Sequence, residues 1–230
     1  MSLGKENFFW HKVHSLTGIV PTGFYMLQHL TANSFSLAGP EKFNGVIGFF
    51  GGIPKHLLLA LEIGVLGIPI LFHALYGLFI IGRAQPNVIG TRYGWVENRM
   101  YGWQRWTGVA LFLLLIAHVV TTTVNAKING EHVIEFQAWH DRLTSYGYSV
   151  LILYMLGILA ASYHLAFGIW NFCIRWGITI GERSQRSVQK FSVAFFVVVT
   201  LLGWAALFGF LQDPGTGGNN GPSANGAVHV

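Results

Sequence analysis

Five long apolar stretches, separated by shorter polar ones, dominate the hydropathy pattern of this 230-residue chain. A helix that crosses a bilayer needs about 20 mostly apolar residues, and each stretch is close to that length or longer. The pattern therefore predicts an all-α membrane protein with one domain over residues 1–211. Its five transmembrane helices are expected at about residues 16–34, 57–81, 106–124, 146–176 and 191–211, and the Gly/Asn-rich residues 212–230 are expected to form a flexible tail.

Composition agrees with a membrane protein. The chain is 52% hydrophobic and only 10% charged, whereas soluble domains average about 25% charged residues. The net charge is +5, but the basic residues are scattered between the apolar stretches, a pattern that does not favour nucleic-acid binding. The single cysteine, Cys173, leaves no disulfide framework and no motif for covalent haem attachment. The first stretch has the length of a signal peptide, but Gln28 and His29 interrupt it, and we expect it to remain in the protein.

Basic residues predict the orientation of the helices. Ten of the fourteen Lys and Arg residues fall in segments on one side of the membrane in this topology. The positive-inside rule places that side in the cytoplasm. The sequence therefore predicts an integral protein of the cytoplasmic membrane with its N-terminus inside and its C-terminus outside. Helix ends on the predicted cytoplasmic side are called inner below, and the opposite ends outer.

Four histidines lie well inside apolar stretches, one in each of the first four. The helical rise of about 1.5 Å per residue puts His29 and His118 ~20 and ~18 Å from the inner surface. It puts His73 and His164 ~24 and ~27 Å from the outer surface. Two of them therefore share an outer depth and two an inner depth, and a bundle of the first four helices would bring each pair together.

Two imidazoles facing each other in lipid match the axial ligand set of haem b. Two pairs predict two haems b stacked across the membrane inside the four-helix bundle. Other interpretations exist, because a buried histidine also serves as a helix–helix hydrogen-bond partner or in a proton relay or transport pathway. Four histidines at two matched depths favour the haem interpretation.

Haem propionates are anionic and need cationic or hydrogen-bonding partners. Arg175 follows His164 by three helical turns and so lies on the same face, nearer the inner end. The candidate partners of the inner haem are Arg175, His14, Ser15, Tyr101 and Trp103. The alternative for Arg175 is an interfacial side chain that reaches toward water.

Glu62 is the one acidic residue inside a predicted span. A carboxyl group in lipid is costly and marks a functional site by default. Its position near the outer end makes it a candidate for hydrogen bonding to a quinone or for passing quinone protons outward. The alternative is a protonated glutamate that pairs with a neighbouring helix.

The segment His14–Ser34, HSLTGIVPTGFYMLQHLTANS, and the strings LQHLT, LFHAL, IAHVV and SYHLA carry a family resemblance. The chain resembles the cytochrome b membrane-anchor subunit of succinate:quinone oxidoreductase, meaning succinate dehydrogenase or fumarate reductase. The likeness is to the five-helix, two-haem, single-polypeptide type and covers about residues 8–211.

The resemblance implies that His73 and His164 bind the inner haem iron and that His29 and His118 bind the outer one. It also implies a flavoprotein partner with FAD, an iron–sulfur partner on the cytoplasmic face, and menaquinone near the outer haem. Some fumarate-reducing members carry a glutamate two residues before the fourth-helix ligand for transmembrane proton transfer. Here that position is Ser162, which argues against the same proton path.

The expected function is therefore an electron-transfer anchor that carries electrons from the iron–sulfur partner through both haems to a quinone. Such a chain would not itself oxidise succinate, because the dicarboxylate chemistry belongs to its partner. One alternative is a dihaem cytochrome b subunit of a membrane hydrogenase or formate dehydrogenase. A more distant alternative is a haem-free transporter or proton channel.

Overall fold

The computed structural model describes residues 3–83 and 96–217, and within these ranges it is helical, with no strand. The predicted tail beyond residue 217 lies outside the described residues. The α-helices are α1 (Leu3–Thr17), α2 (Phe24–Asn33), α3 (Pro40–Gly51), α4 (Lys55–Ala60), α5 (Ile68–Gly82), α6 (Val96–Val119), α7 (Asn125–Asn129), α8 (Phe136–Arg175) and α9 (Glu182–Gly209). Short π-helical segments, Gly18–Gly23, Leu61–Gly67 and Val120–Val124, join α1 to α2, α4 to α5 and α6 to α7.

Four helical stretches are long and apolar enough to cross a membrane: Lys55–Gly82, Asn98–Asn129, Phe136–Arg175 and Glu182–Gly209. They correspond to the second to fifth predicted spans and make the chain an integral membrane protein. Residues 16–33, in the first predicted span, are also helical, but they fall outside these four. The polar side chains of Gln28, His29 and Asn33 dilute the apolar character of that helix. A fifth membrane crossing stays a prediction.

Pro21 explains the π-helical turn in the first helical stretch. Its ring nitrogen carries no hydrogen, so the carbonyl of Thr17, four residues earlier, loses its α-helical donor. The hydroxyl of Thr22 donates to that carbonyl instead, at 3.0 Å. The carbonyl thus keeps a hydrogen-bond partner, as a membrane crossing by this stretch would require.

Two features near the outer end differ from the sequence prediction. A further helix, α3, occupies residues between the first two predicted spans. The backbone of α8 leaves helical geometry at Ser145–Tyr148, where Tyr146, Gly147 and Tyr148 have positive φ angles of 50°, 62° and 65°. The break divides α8 into a short outer helix and the apolar helix that carries His164.

Helices α8 and α9 pack closely along their length. Gly203 of α9 meets the side chain of Ile158, where an added Cβ would lie 2.6 Å from Cγ2. Trp204 Nε1–H donates to the Met155 carbonyl at 3.0 Å. Small residues allow such close approach between membrane helices, where dispersion and interhelical hydrogen bonds drive association.

An aromatic core closes the outer end of the protein. It is formed by buried side chains from α3, α8 and the end of α9: Phe43, Phe136, Trp139, Leu143, Leu151, Leu207 and Phe210. Polar contacts fix its edges: the Phe136 N–H donates to Asn44 Oδ1 at 2.9 Å, and His140 Nδ1 contacts the Phe210 carbonyl at 2.9 Å. The core holds α3 and the short outer part of α8 against the end of α9.

The stretch Lys55–Gly82 packs very differently. None of its most apolar 18-residue window is buried within the chain. Leu71 and Leu75, for example, expose 55% and 52% of their surface. So large an apolar surface is stable only in an apolar solvent, which a bilayer provides.

Gly209→Ala tests the closure of the outer end. An added Cβ would meet Ser36 Oγ and lie 2.7 Å from the Leu37 backbone nitrogen, so we expect a loss of about 1–3 kcal/mol from overpacking. Thermal unfolding of the purified protein measures it. The matched control is Gly45→Ala in α3, whose Cβ would meet nothing within 4 Å. Equal melting temperatures for the two variants would contradict the packing described here.

Candidate haem-binding site

The outer histidine pair joins the first and third predicted spans. His29, near the end of α2, and His118, near the end of α6, lie with ring centroids 5.8 Å apart and ring planes at 81°. Both side chains are half-buried. Tyr25, one turn before His29 on α2, stacks on the His29 ring at 5.6 Å. The two imidazoles therefore approach each other edge to face.

The inner pair repeats this arrangement on the second and fourth spans. His73 of α5 and His164 of α8 have ring centroids 6.0 Å apart and planes at 89°. Tyr154, which contacts His118 of the outer pair, precedes His164 by ten residues on α8. Ten residues of helix correspond to ~15 Å, so the pairs lie at two separate depths.

Hydrogen bonds at Nδ1 fix the tautomer of the two inner rings, and a third ring has a hydroxyl partner there. His73 Nδ1 lies 2.9 Å from the His14 carbonyl, and His164 Nδ1 lies 3.0 Å from the Gln104 carbonyl. A carbonyl oxygen only accepts, so Nδ1 carries the proton and Nε2 keeps its lone pair. His118 Nδ1 contacts Tyr154 Oη at 3.3 Å. Metal-binding histidines generally have such a partner on the second ring nitrogen.

Glycines allow the inner rings to lie against neighbouring helices. A Cβ on Gly108 would stand 2.9 Å from His164 Cε1, and a Cβ on Gly18 would collide with the His73 ring. Gly77 faces the His14 ring, and a Cβ added there would lie 3.3 Å from His14 Cε1. A side chain at Gly18 or Gly108 would displace an inner imidazole, which explains glycine there.

The donor set fits haem b. Among the described residues, no group of three or more His, Cys, Asp or Glu side chains could hold a metal ion. Each pair therefore supplies two imidazole nitrogens and needs a macrocycle to complete the coordination of a metal. An iron porphyrin with an axial nitrogen on each face has that requirement.

The candidate propionate partners lie in different surroundings. The His14 ring stacks on His73 at 4.1 Å, with planes only 10° apart. Trp176 Nε1–H donates to Ser15 Oγ at 3.0 Å, next to Arg175 at the end of α8. His14, Ser15 and Arg175 are thus gathered at the inner end, beside the inner pair.

The other two candidates lie on α6. The Tyr101 ring has the Arg105 guanidinium over its face, 4.3 Å from the centroid. Trp103 is 64% exposed, an orientation that suits an interfacial side chain better than a cofactor contact.

Glu62 forms an ion pair with Lys127 of α7 at 2.6 Å. It lies in the π-helical segment Leu61–Gly67, and both side chains are only partly exposed, at 30% for Glu62 and 46% for Lys127. The alternative from the sequence was a protonated glutamate paired with a neighbouring helix, whereas here the partner on that helix is an ammonium group. Irregular π-helical turns occur often at functional sites.

Several residues around the two pairs escaped the sequence analysis. The Gln104 side chain donates from Nε2–H to the His164 backbone carbonyl at 2.8 Å. The backbone carbonyl of Gln104 in turn accepts from Nδ1–H of the His164 ring. Near the outer pair, Arg142 lies over the Trp139 ring at 4.6 Å and donates to the Thr121 carbonyl. A buried Nη1 of Arg142 has no hydrogen-bond partner among the described residues.

At the inner end, the rings of His11 and Tyr76 also contact each other edge to face, with centroids 5.6 Å apart. Burial, with smaller contributions from the nearby Arg175 and Arg83 guanidinium groups, lowers the pKa of His11. Ser162 is fully buried, and its hydroxyl has no partner among the described residues.

Gly108→Ala tests the inner pair. The new methyl group would push the His164 ring off its Gln104 acceptor, so we expect the haem content of the purified protein to fall. The control is Gly157→Ala in α8, where the nearest atom to a Cβ is Leu114 Cδ1 at 3.7 Å, an ordinary contact. Unchanged haem content and an unchanged spectrum in Gly108→Ala would contradict a role for this close approach.

Comparison with known proteins identifies the family of the chain. The family model described as succinate dehydrogenase/fumarate reductase transmembrane subunit matches residues 91–204, a range that includes His118 and His164. The succinate dehydrogenase cytochrome b558 subunit of Bacillus subtilis (strain 168) is 32% identical over 208 residues, which cover 90% of this chain and 99% of that protein. The chain therefore belongs to the family of transmembrane cytochrome b subunits of succinate dehydrogenase and fumarate reductase.

Proposed function

We propose that this chain anchors a succinate:quinone oxidoreductase in the membrane and carries its electrons to a quinone, with menaquinone as the proposed substrate. Family membership supports the anchor role. The observation that carries the electron-transfer role is the approach of two histidine pairs at two depths, with centroid distances of 5.8 and 6.0 Å.

The chain's own residues would hold two haems b. His29 and His118 would bind the outer iron, and His73 and His164 the inner one. The carbonyls of His14 and Gln104 keep the inner imidazoles in the tautomer whose Nε2 can bind iron. Each haem, when bound, supplies a one-electron carrier within the bilayer.

Partner subunits would dock at the inner end. The proposed partners are a flavoprotein with FAD and an iron–sulfur protein, which would supply the electrons from succinate. Helix α1 extends beyond the first apolar stretch and exposes Phe8, Phe9 and Trp10 by 57%, 58% and 47%. Neighbouring exposed aromatic side chains outside a membrane span are typical of a protein-binding surface.

The quinone would react near the outer pair. The Glu62–Lys127 ion pair supports this, because it sets a carboxylate and an ammonium group side by side at the outer end. Quinone reduction consumes protons, and the Glu62 carboxylate could take up a proton from the outer side and, once protonated, donate it to the reduced quinone. Lys127 would hold the Glu62 carboxyl in place between turnovers.

The rival function as a hydrogenase or formate dehydrogenase subunit has less support. The family model and the B. subtilis relative both point to succinate dehydrogenase. No feature of the described residues favours a haem-free transporter over the proposed electron-transfer subunit.

Histidine replacements test the assignment of the iron ligands. His29→Ala should leave one haem per chain, because the outer iron would lose one axial nitrogen while the inner pair stays intact. His73→Ala should leave the other haem, and the two remaining spectra should differ. His56→Ala is the control, since that exposed ring belongs to neither pair. Retention of both haems in His29→Ala would overturn the pairing.

Glu62→Gln tests the proton role at the outer end. We expect quinone reduction by succinate to slow roughly tenfold or more, since an amide cannot donate the proton. Succinate oxidation with an artificial acceptor should stay unchanged in the same preparation. Glu41→Gln, a change at an exposed carboxylate of α3, is the control. An unchanged rate of quinone reduction in Glu62→Gln would remove this residue from the mechanism.

A further inference from the structure

Helix α9 carries a basic surface at its inner end, formed by Arg183, Arg186 and Lys190 together with Glu182 and Ser187. These five residues line a surface depression of about 310 Å³. Glu182 pairs with Arg186 at 2.6 Å. Among the described residues, neither Arg183 nor Lys190 forms an ion pair. The surface therefore keeps two uncompensated positive charges on exposed side chains.

The same face of α9 continues outward as an apolar stripe. Residues separated by four or seven positions lie on one face of a helix, and this spacing leads from Arg183 through Lys190 to Val197, Leu201 and Phe208. Those three apolar side chains expose 46%, 57% and 49% of their surface. The opposite face is buried against α8 and neighbouring segments, through Ser192, Val199, Gly203 and Ala206. The cationic side chains thus lie at the inner end of an exposed apolar stripe, on the face of α9 that points away from α8.

The length of the face matches one crossing of a bilayer. Lys190 to Phe208 spans ~27 Å of helix, against a hydrocarbon core of ~30 Å. Arg183 lies ~10 Å further toward the inner side, at the depth of the headgroups. The neighbouring helix begins at the same level, since Gln189 Nε2 contacts Met100 Sδ at 3.5 Å and Arg99 next to it is exposed.

We propose that Arg183, Arg186 and Lys190 bind the phosphate headgroup of an anionic phospholipid whose acyl chains lie along Val197, Leu201 and Phe208. Charge complementarity selects a negative headgroup, and the collinear apolar stripe selects a lipid over a protein surface. Basic clusters next to a membrane helix attract anionic lipids, each charge contributing roughly a factor of five in affinity. The proposal does not depend on the number of haems or on the quinone.

A lipid-retention experiment tests the site. The intact complex, with its partner subunits, is exchanged into nanodiscs that contain phosphatidylcholine with a minor fraction of phosphatidylglycerol, then extracted gently and analysed by mass spectrometry. Arg183→Gln combined with Lys190→Gln should lower the phosphatidylglycerol retained per chain roughly tenfold or more. Arg183→Lys combined with Lys190→Arg should retain it, because the charges remain.

The control is Lys55→Gln, which removes an exposed charge at the outer end of another helix. Equal retention of phosphatidylglycerol in the double glutamine variant and the native complex would overturn the proposal. Loss of the iron–sulfur subunit from that variant, with lipid retention unchanged, would also overturn it and assign the surface to a protein contact. Haem content serves as the check that the variant is folded.

Discussion

Four imidazole rings within apolar helices impose the constraint on which the rest of this structure depends. A buried polar group is costly unless it is hydrogen-bonded, and lipid offers no water to satisfy it. The inner rings meet this requirement through backbone carbonyls of α1 and α6, which belong to His14 and Gln104. Such short contacts demand close helix approach, and Gly18 and Gly108 permit it. Ring orientation, helix spacing and glycine placement are therefore consequences of one requirement.

The two ends of the molecule are built differently around these rings. At the outer end, aromatic side chains such as Phe43, Phe136 and Phe210 form a closed core that fixes α3 and α9. At the inner end, exposed aromatic residues of α1 and exposed cations of α9 lie open. This asymmetry suits a protein that is sealed on one side and joined to partner subunits on the other, with lipid around its flank.

The sequence predicts the meeting of the histidines well, because helix rise is constant and depth follows from counting residues. Counting residues assigns His29 and His118 to one depth and His73 and His164 to another, and in the structure the rings of each pair are neighbours. The Nδ1 partners could not be predicted, because they are backbone carbonyls, which every residue has. Helix α3 was missed because Gly45, Gly48 and Gly51 give its sequence the character of a loop. The predicted start of the fourth span at residue 146 falls at the break Ser145–Tyr148, but the short helix before the break was not predicted.

The central claim is that each histidine pair binds one haem b. A reduced-minus-oxidised absorbance spectrum of the purified complex, combined with a haem-to-protein ratio, tests it most directly. The account predicts two haems b per copy of this chain, both reduced on addition of succinate. A ratio of one would make one pair purely structural, and the absence of haem would contradict the electron-transfer function.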